Sequence, residues 1–135
     1  MRIEQVTDVQ TLERGAELFD ERPDRDGASR FLNTPGHHLL FAFEDELPVG
    51  FASGAELIHP DKGTEMYLNE LGVDDQFQGH GIATQLVEAM IDLAKELGCR
   101  GMWDVTEPDN AAAIATYRRA GADDVSPCVI FGWTF

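Results

Sequence analysis

Apolar positions along the chain recur with two periods, and the switches between them mark the elements. Residues 3–6 read as a short first strand. Residues 8–20 have helical spacing, with Val9, Leu12, Ala16 and Phe19 on one stripe and Thr7 or Asp8 as the N-cap. Residues 21–27 are charged and include Pro23, which predicts a loop, and a short helix over 28–33 ends near Pro35 and Gly36. Residues 38–43 and 48–58 are two strand runs joined by a turn at Asp45 and Glu46, an antiparallel hairpin. Residues 59–63 form a turn-rich loop, and 65–73 a further strand with Met66, Leu68, Leu71 and Val73 as its apolar members. Ile82, Leu86, Met90, Leu93 and Leu97 step by three or four, which predicts the longest helix, stopped by Gly98. A strand over 102–106, a helix over 110–120 stopped by Gly121, and a final strand over 125–135 complete the chain. The order β-α-α-β-β-β-α-β-α-β predicts an α/β domain with a mixed sheet. No linker interrupts it, so residues 1–135 are expected to form a single domain.

Composition narrows the partners. With 43% hydrophobic residues the chain reads as globular, and no apolar run approaches the ~20 residues of a membrane span. The first eight residues are charged and lack a signal-peptide core, so a cytoplasmic location is expected. Twenty-five acids against 10 bases give a formal net charge of −15. That balance argues against a nucleic-acid partner, which requires clustered Lys and Arg. The acidic excess is either a solvated surface or an attractor of a cationic substrate. Cys99 and Cys128 belong to no paired motif, so no metal is expected, and both read as small buried or half-buried residues. Trp103 and Trp133 read as core.

The strand-to-helix turn Leu71-Gly72-Val73-Asp74-Asp75-Gln76-Phe77-Gln78-Gly79-His80-Gly81-Ile82-Ala83-Thr84 carries the most chemistry. A helix start presents unpartnered N–H groups and a partial positive charge, so it suits a phosphate. Gly79 and Gly81 let an anion approach the backbone. No Gly-Lys-Ser/Thr follows, and Thr84 stands where a dinucleotide fingerprint has its third glycine.

At these residues the sequence resembles the GNAT superfamily of N-acetyltransferases, whose strand ending Leu-x-Val is followed by Arg/Gln-x-x-Gly-x-Gly/Ala at a helix start. Both Gln76-x-x-Gly79-x-Gly81 and Gln78-x-x-Gly81-x-Ala83 fit; Gln78, five residues after Val73, is the register chosen. The next helix resembles the family's Asn-x-x-Ala-x-x-x-Tyr-x-x-x-Gly-Phe through Asn110, Ala113, Tyr117 and Gly121, with Ala122 replacing the aromatic. The resemblance covers nearly the whole chain. It implies the GNAT fold, a central, mostly antiparallel sheet flanked by helices, with acetyl-CoA as co-substrate and direct attack of an amine on the thioester.

By the same resemblance, the backbone of Leu71, Gly72 and Val73 would pair with the pantetheine arm. Gln78, Gly79, His80, Gly81, Ile82, Ala83 and Thr84 would hold the pyrophosphate, and Asn110 would contact the pantetheine or thioester end. Tyr117 is the candidate acid at the sulfur, since a phenol with a pKa of about 10 is protonated at neutral pH. Glu70, inside an apolar strand where burial would raise its pKa, is the candidate base, with Glu65 in reserve. His80 is expected to face solvent or CoA, His59 to begin a loop near acceptor, and His37 and His38 to start a strand.

Residues 68–73, 78–84 and 43–56 also resemble the short aminoglycoside 3-N-acetyltransferases, antibiotic-resistance enzymes with an acidic residue at the place of Glu70. A small cationic amine is then the expected acceptor, with Glu56, Asp104, Glu107 and Asp109 as candidate lining of an acidic cleft. The alternatives are a polyamine, an amino acid or a protein amine as acceptor, or a non-catalytic acyl-CoA sensor. Family members are often dimers, so a homodimer is among the expectations.

Overall fold

The computed structural model describes residues 1–135. Five strands form one sheet in the order β1-β2-β3-β4-β5: β1 (Arg2–Gln5), β2 (His37–Glu44), β3 (Leu47–His59), β4 (Gly63–Val73) and β5 (Gly101–Trp103). The first four pair antiparallel with one another, and β5 runs parallel to β4. The helices are α1 (Val9–Arg14), α2 (Arg25–Asn33), α3 (Ile82–Glu96) and α4 (Ala111–Arg119). No helix is long and apolar enough to cross a membrane.

The period-2 pattern of β2 sorts its side chains between two cores. Leu39, Phe41 and Phe43 join Val6, Leu12, Ala28 and Phe51 under α1 and α2. Leu40 and Ala42 join Val49, Ala52, Met66 and Leu68 under α3, which contributes Ile82, Leu86, Val87, Met90, Leu93 and Ala94. The stripe read from the sequence is therefore the buried face of α3. Its last member, Leu97, falls on the exposed C-cap.

Several boundaries differ from the sequence reading. The expected helix over 8–20 stops at Arg14 and resumes only as a 3-10 turn, Ala16–Leu18. Gly15 is the cause: a Cβ there would lie 2.5 Å from Cζ of Phe41, so the chain comes down onto a core ring. Gly15→Ala should therefore destabilise by ~1–3 kcal/mol through overpacking, against the usual helix preference for alanine. Gly54→Ala, whose Cβ would first meet the unbranched, adaptable side chains of Met66 and Met90, should cost less. Thermal melting of the two variants checks the order. Helix α2 starts three residues early, because Asp24 accepts from the Gly27 N–H and caps it. Asp8, of the two N-cap candidates, is the residue that caps α1.

The largest departure is at the end of the chain. The expected strand over 125–135 does not form, and residues after Gly121 are exposed and without regular structure. Their alternation suits a strand, but no neighbouring strand lies alongside to complete a ladder. Cys128 and Trp133 are consequently exposed rather than buried, and Trp103 is 43% exposed on β5. Strand β5 is itself shorter than the expected 102–106, ending at Trp103.

Candidate active site

The ladder between β4 and β5 joins only Glu65–Tyr67 to Gly101–Trp103. Beyond Tyr67, β4 continues to Val73 with β3 on one side and no strand on the other. The backbone of Leu71, Gly72 and Val73 thus borders an open edge that an extended chain could line.

That edge leads into the glycine turn. The Asp74 side chain accepts from the Gln76 N–H at 2.9 Å and starts the 3-10 turn Asp75–Phe77. Gln78 Nε2 donates to the Val73 carbonyl at 3.2 Å and to Asp75 Oδ1 at 3.1 Å, closing the turn across the five residues that set its register. His80 is exposed, and its Nδ1 donates to the Phe77 carbonyl at 3.1 Å. Gly79 and Gly81 have φ of 81° and 79°, the left-handed region that favours glycine. Nothing lies within 4 Å of the Cβ position of either, so the cradle is open. No side chain caps α3 and no acid stands in its first turn. The helix ladder begins with the Gln85 N–H on the Gly81 carbonyl, which leaves the N–H groups of Ile82, Ala83 and Thr84 directed outward. A diphosphate fits this arrangement in charge and in shape.

Glu70 reaches its position through a bulge. Ser53 faces Glu70 whereas Gly54 faces Leu68, so Asn69 is an extra residue in β4. Met66 and Leu68 point into the α3 core; without the extra residue Glu70 would follow them. The bulge inverts the alternation. Leu71 and Val73 now pack toward α3, and Glu70 shares the opposite face with Gly72, which lies against Phe51. Glu70 is therefore exposed on the α1/α2 side rather than enclosed in the strand, which corrects the expectation of deep burial. Its pKa is still raised, by partial desolvation first and then by the nearby Asp20 carboxylate. Beside it the Ser53 hydroxyl is buried and has no hydrogen-bond partner in the protein. The reserve candidate Glu65 is engaged elsewhere, 2.8 Å from His59 Nε2.

On the other side of the opening, Tyr117 on α4 packs against the α3 core. Its hydroxyl lies near the carboxylate of Asp104, the residue after β5. Burial, then Asp104, hold the Tyr117 pKa well above the usual phenol value. Asp104 is itself raised by burial, partly offset by Tyr117 and by the Val105 N–H at 2.6 Å. Asn110 is the N-cap of α4: its Oδ1 accepts from the Ala113 N–H at 3.1 Å, and its Nδ2 donates to Thr106 Oγ1 at 3.2 Å. Asn110→Asp should keep the cap and its stability, whereas Asn110→Ala should lose ~0.5–2 kcal/mol. Weaker acetyl-CoA binding by the Asp variant at unchanged melting temperature would assign the Asn110 amide to the ligand.

The acidic lining proposed from sequence is only partly assembled. Asp104 lies at the opening, Glu56 is paired with His38 Nε2 at 2.7 Å, and Glu107 and Asp109 are exposed before α4. Asp20 was not legible, because it lies in a loop fifty residues from Glu70. A concavity of about 370 Å³ at the end of β4 is lined by Glu17, Leu18, Val73, Asp74, Asp75 and Gln76. A larger open depression at the β2–β3 turn involves neither Glu70 nor Tyr117.

Comparison with known proteins agrees with this geometry. Residues 3–122 match the model of the acetyltransferase (GNAT) family. An N-alpha-acetyltransferase 30 of Schizosaccharomyces pombe is 30% identical over 80 residues, 59% of this chain and 53% of that protein. A thialysine N-epsilon-acetyltransferase of Bos taurus is 24% identical over 139 residues, 97% of this chain and 79% of that protein. The chain thus spans about half the length of the yeast relative. Among solved structures, an aminoglycoside acetyltransferase from an uncultured soil metagenomic sample, in complex with trehalose, superposes with a TM-score of 0.91 at 21% identity. The match covers 99% of this chain and 95% of that one. An aminoglycoside N-acetyltransferase in complex with CoA gives 0.83 at 21% identity, over 99% of this chain and all of that one. The fold is shared with these structures, and the family match spans most of the sequence: the chain belongs to the GNAT acetyltransferase family.

Proposed function

We propose that the chain transfers an acetyl group from acetyl-CoA to an amine of a small cationic acceptor. The observation that carries this reading is the open edge of β4, which runs from Glu70 to the uncapped start of α3. The turn residues Gln78 to Thr84 hold the pyrophosphate on backbone N–H groups, and Leu71 to Val73 pair with the pantetheine arm. Holding both reactants in one geometry supplies much of the rate.

Glu70 takes the proton of the acceptor ammonium, directly or through water, so that the nitrogen lone pair forms the new N–C bond. The C–S bond breaks as that bond forms, Tyr117 gives its proton to the departing sulfur, and the acylated nitrogen sheds its remaining extra proton through water, which restores the Tyr117 phenol. Asp20 and Glu70 place two carboxylates on the acceptor side, and the 370 Å³ concavity adds Glu17, Asp74 and Asp75. This acidic surround favours a polycation, as does the net charge of −15. The aminoglycoside acetyltransferases similar in fold support an aminoglycoside as that polycation. A second reading, a protein N-terminus or a small amino acid as acceptor, is favoured by the yeast and bovine relatives.

The test is release of CoA thiol from acetyl-CoA by the purified chain against aminoglycosides, polyamines, amino acids and N-terminal peptides. Release with aminoglycosides alone is expected. Release with peptides alone would move the second reading forward, and acetyl-CoA binding without release to any amine would leave a sensor.

A further inference from the structure

Trp103, expected in the core, stands instead on the face of the sheet that carries Glu70. In β4, Met66 and Leu68 belong to the core under α3, so Tyr67 between them points the other way. Met102 packs on that same core, so its neighbour Trp103 also points away from α3. Tyr67 and Trp103 are register partners, and their rings lie with centroids 4.7 Å apart. Neither ring belongs to the core under α1 and α2, and Trp103 is 43% exposed. The bulge at Asn69 brings this aromatic pair and the candidate base onto one face, because without it Glu70 would follow Met66 and Leu68. Register also sets their separation. The β3 partners of Glu70 and Tyr67 are Ser53 and Ala55, two residues apart. At a strand rise of ~3.3 Å per residue, Glu70 and Tyr67 stand about 7 Å apart.

We propose that Tyr67 and Trp103 determine acceptor specificity, and that they select an amine carried on a saturated ring over a linear polyamine. The inference rests on the reading of Glu70 as the group that takes the acceptor proton. An aminocyclitol or amino sugar keeps its amines and hydroxyls on the rim and presents a C–H face. Burying that face on the two aromatic rings is favourable, while the rim stays in water. An ammonium on the rim can lie against an aromatic face and feel the Asp104 charge, which also acts on Tyr67. Burial, then that charge, raise the Tyr67 pKa, so its hydroxyl stays protonated and can donate to a ring hydroxyl. A rigid ring has few torsions to fix on this surface, whereas a linear polyamine must fix one for every methylene that it lays down. The acidic surround attracts both kinds of cation alike, so the aromatic pair is what tells them apart.

The probes are neamine, whose amines sit on saturated rings, and spermine, a linear amine with as many nitrogens. In a Trp133→Phe background Trp103 is the sole tryptophan. With CoA bound, so that no acetyl is transferred, neamine should shift the Trp103 emission saturably and spermine should leave it unchanged. Trp103→Ala should raise KM for neamine about tenfold at unchanged kcat and acetyl-CoA affinity. Trp103→Phe, which keeps a ring, should recover most of that loss, and KM for spermine should move by less than about twofold in either variant. A Trp103 emission indifferent to neamine overturns the proposal. So does a Trp103→Ala variant whose neamine KM is unchanged, or whose KM rises equally for both amines. The acetyl-transfer reading fails separately, by the absence of thiol release with any amine; the emission titration then decides the proposal alone.

Discussion

Glu70→Gln is expected to lower kcat/KM for the amine acceptor by ~10²–10⁴, the usual contribution of a positioned base, while acetyl-CoA binds as before. On the proposed reading the carboxylate faces the acceptor and CoA is held by backbone, so the two readouts separate. The pH profile gives the sign. Partial burial and Asp20 raise the Glu70 pKa, so the acid limb of the profile should lie above the ordinary carboxylate range. Asp20→Asn removes a like charge and should move that limb to lower pH; Glu70→Gln should abolish it.

Stability should move the other way. A carboxyl whose folded pKa exceeds its unfolded value loses stability as pH rises from the unfolded pKa through the folded one. At neutral pH the ionised Glu70 is therefore a burden on the fold. The Gln variant should melt slightly higher than the parent, while its activity falls. A residue that mattered only for packing would lose both together. Activity reduced by less than about tenfold would assign proton removal to another group.

The elements that position this site were legible in the sequence wherever a period ran long enough. The α3 stripe, the β2–β3 hairpin and the Gly79-His80-Gly81 turn all follow from local pattern. Three features did not, each for a physical reason. The bulge at Asn69 follows from pairing between β3 and β4, which no run of residues in β4 alone specifies; the simple period-2 reading of Met66, Leu68 and Glu70 points all three to one face. The charge of Asp20 acts on Glu70 from a loop distant in sequence, and the helical reading of 8–20 hid that loop because Gly15 stops the helix on Phe41. The last eleven residues alternate like a strand, but a strand requires a neighbour, and the body offers them none. Local pattern gives an element's tendency; the partner that completes it is a tertiary fact.

Tyr117→Phe is expected to lower kcat by ~10–100-fold with little change in acetyl-CoA affinity, a loss at the lower end for general acids. The reason for the smaller figure is Asp104. Burial and the nearby Asp104 carboxylate hold the phenol protonated, and that carboxylate also competes with the departing sulfur for its proton. Phe keeps the packing against α3, and Asp104 keeps the Val105 N–H, so the melting temperature should change little. If acetyl-CoA binding fell in step with kcat, Tyr117 would be a packing residue. Asp104→Asn separates the two roles of the pair. Removing the charge lowers the Tyr117 pKa toward the ordinary phenol, so the alkaline limb of kcat should move to lower pH, and ultraviolet titration of the tyrosinate should show the same shift without turnover. A faster variant in the neutral range would mean that Asp104 restrains the acid. A slower one would mean that the carboxylate aims the hydroxyl and that its orientation outweighs the competition for the proton.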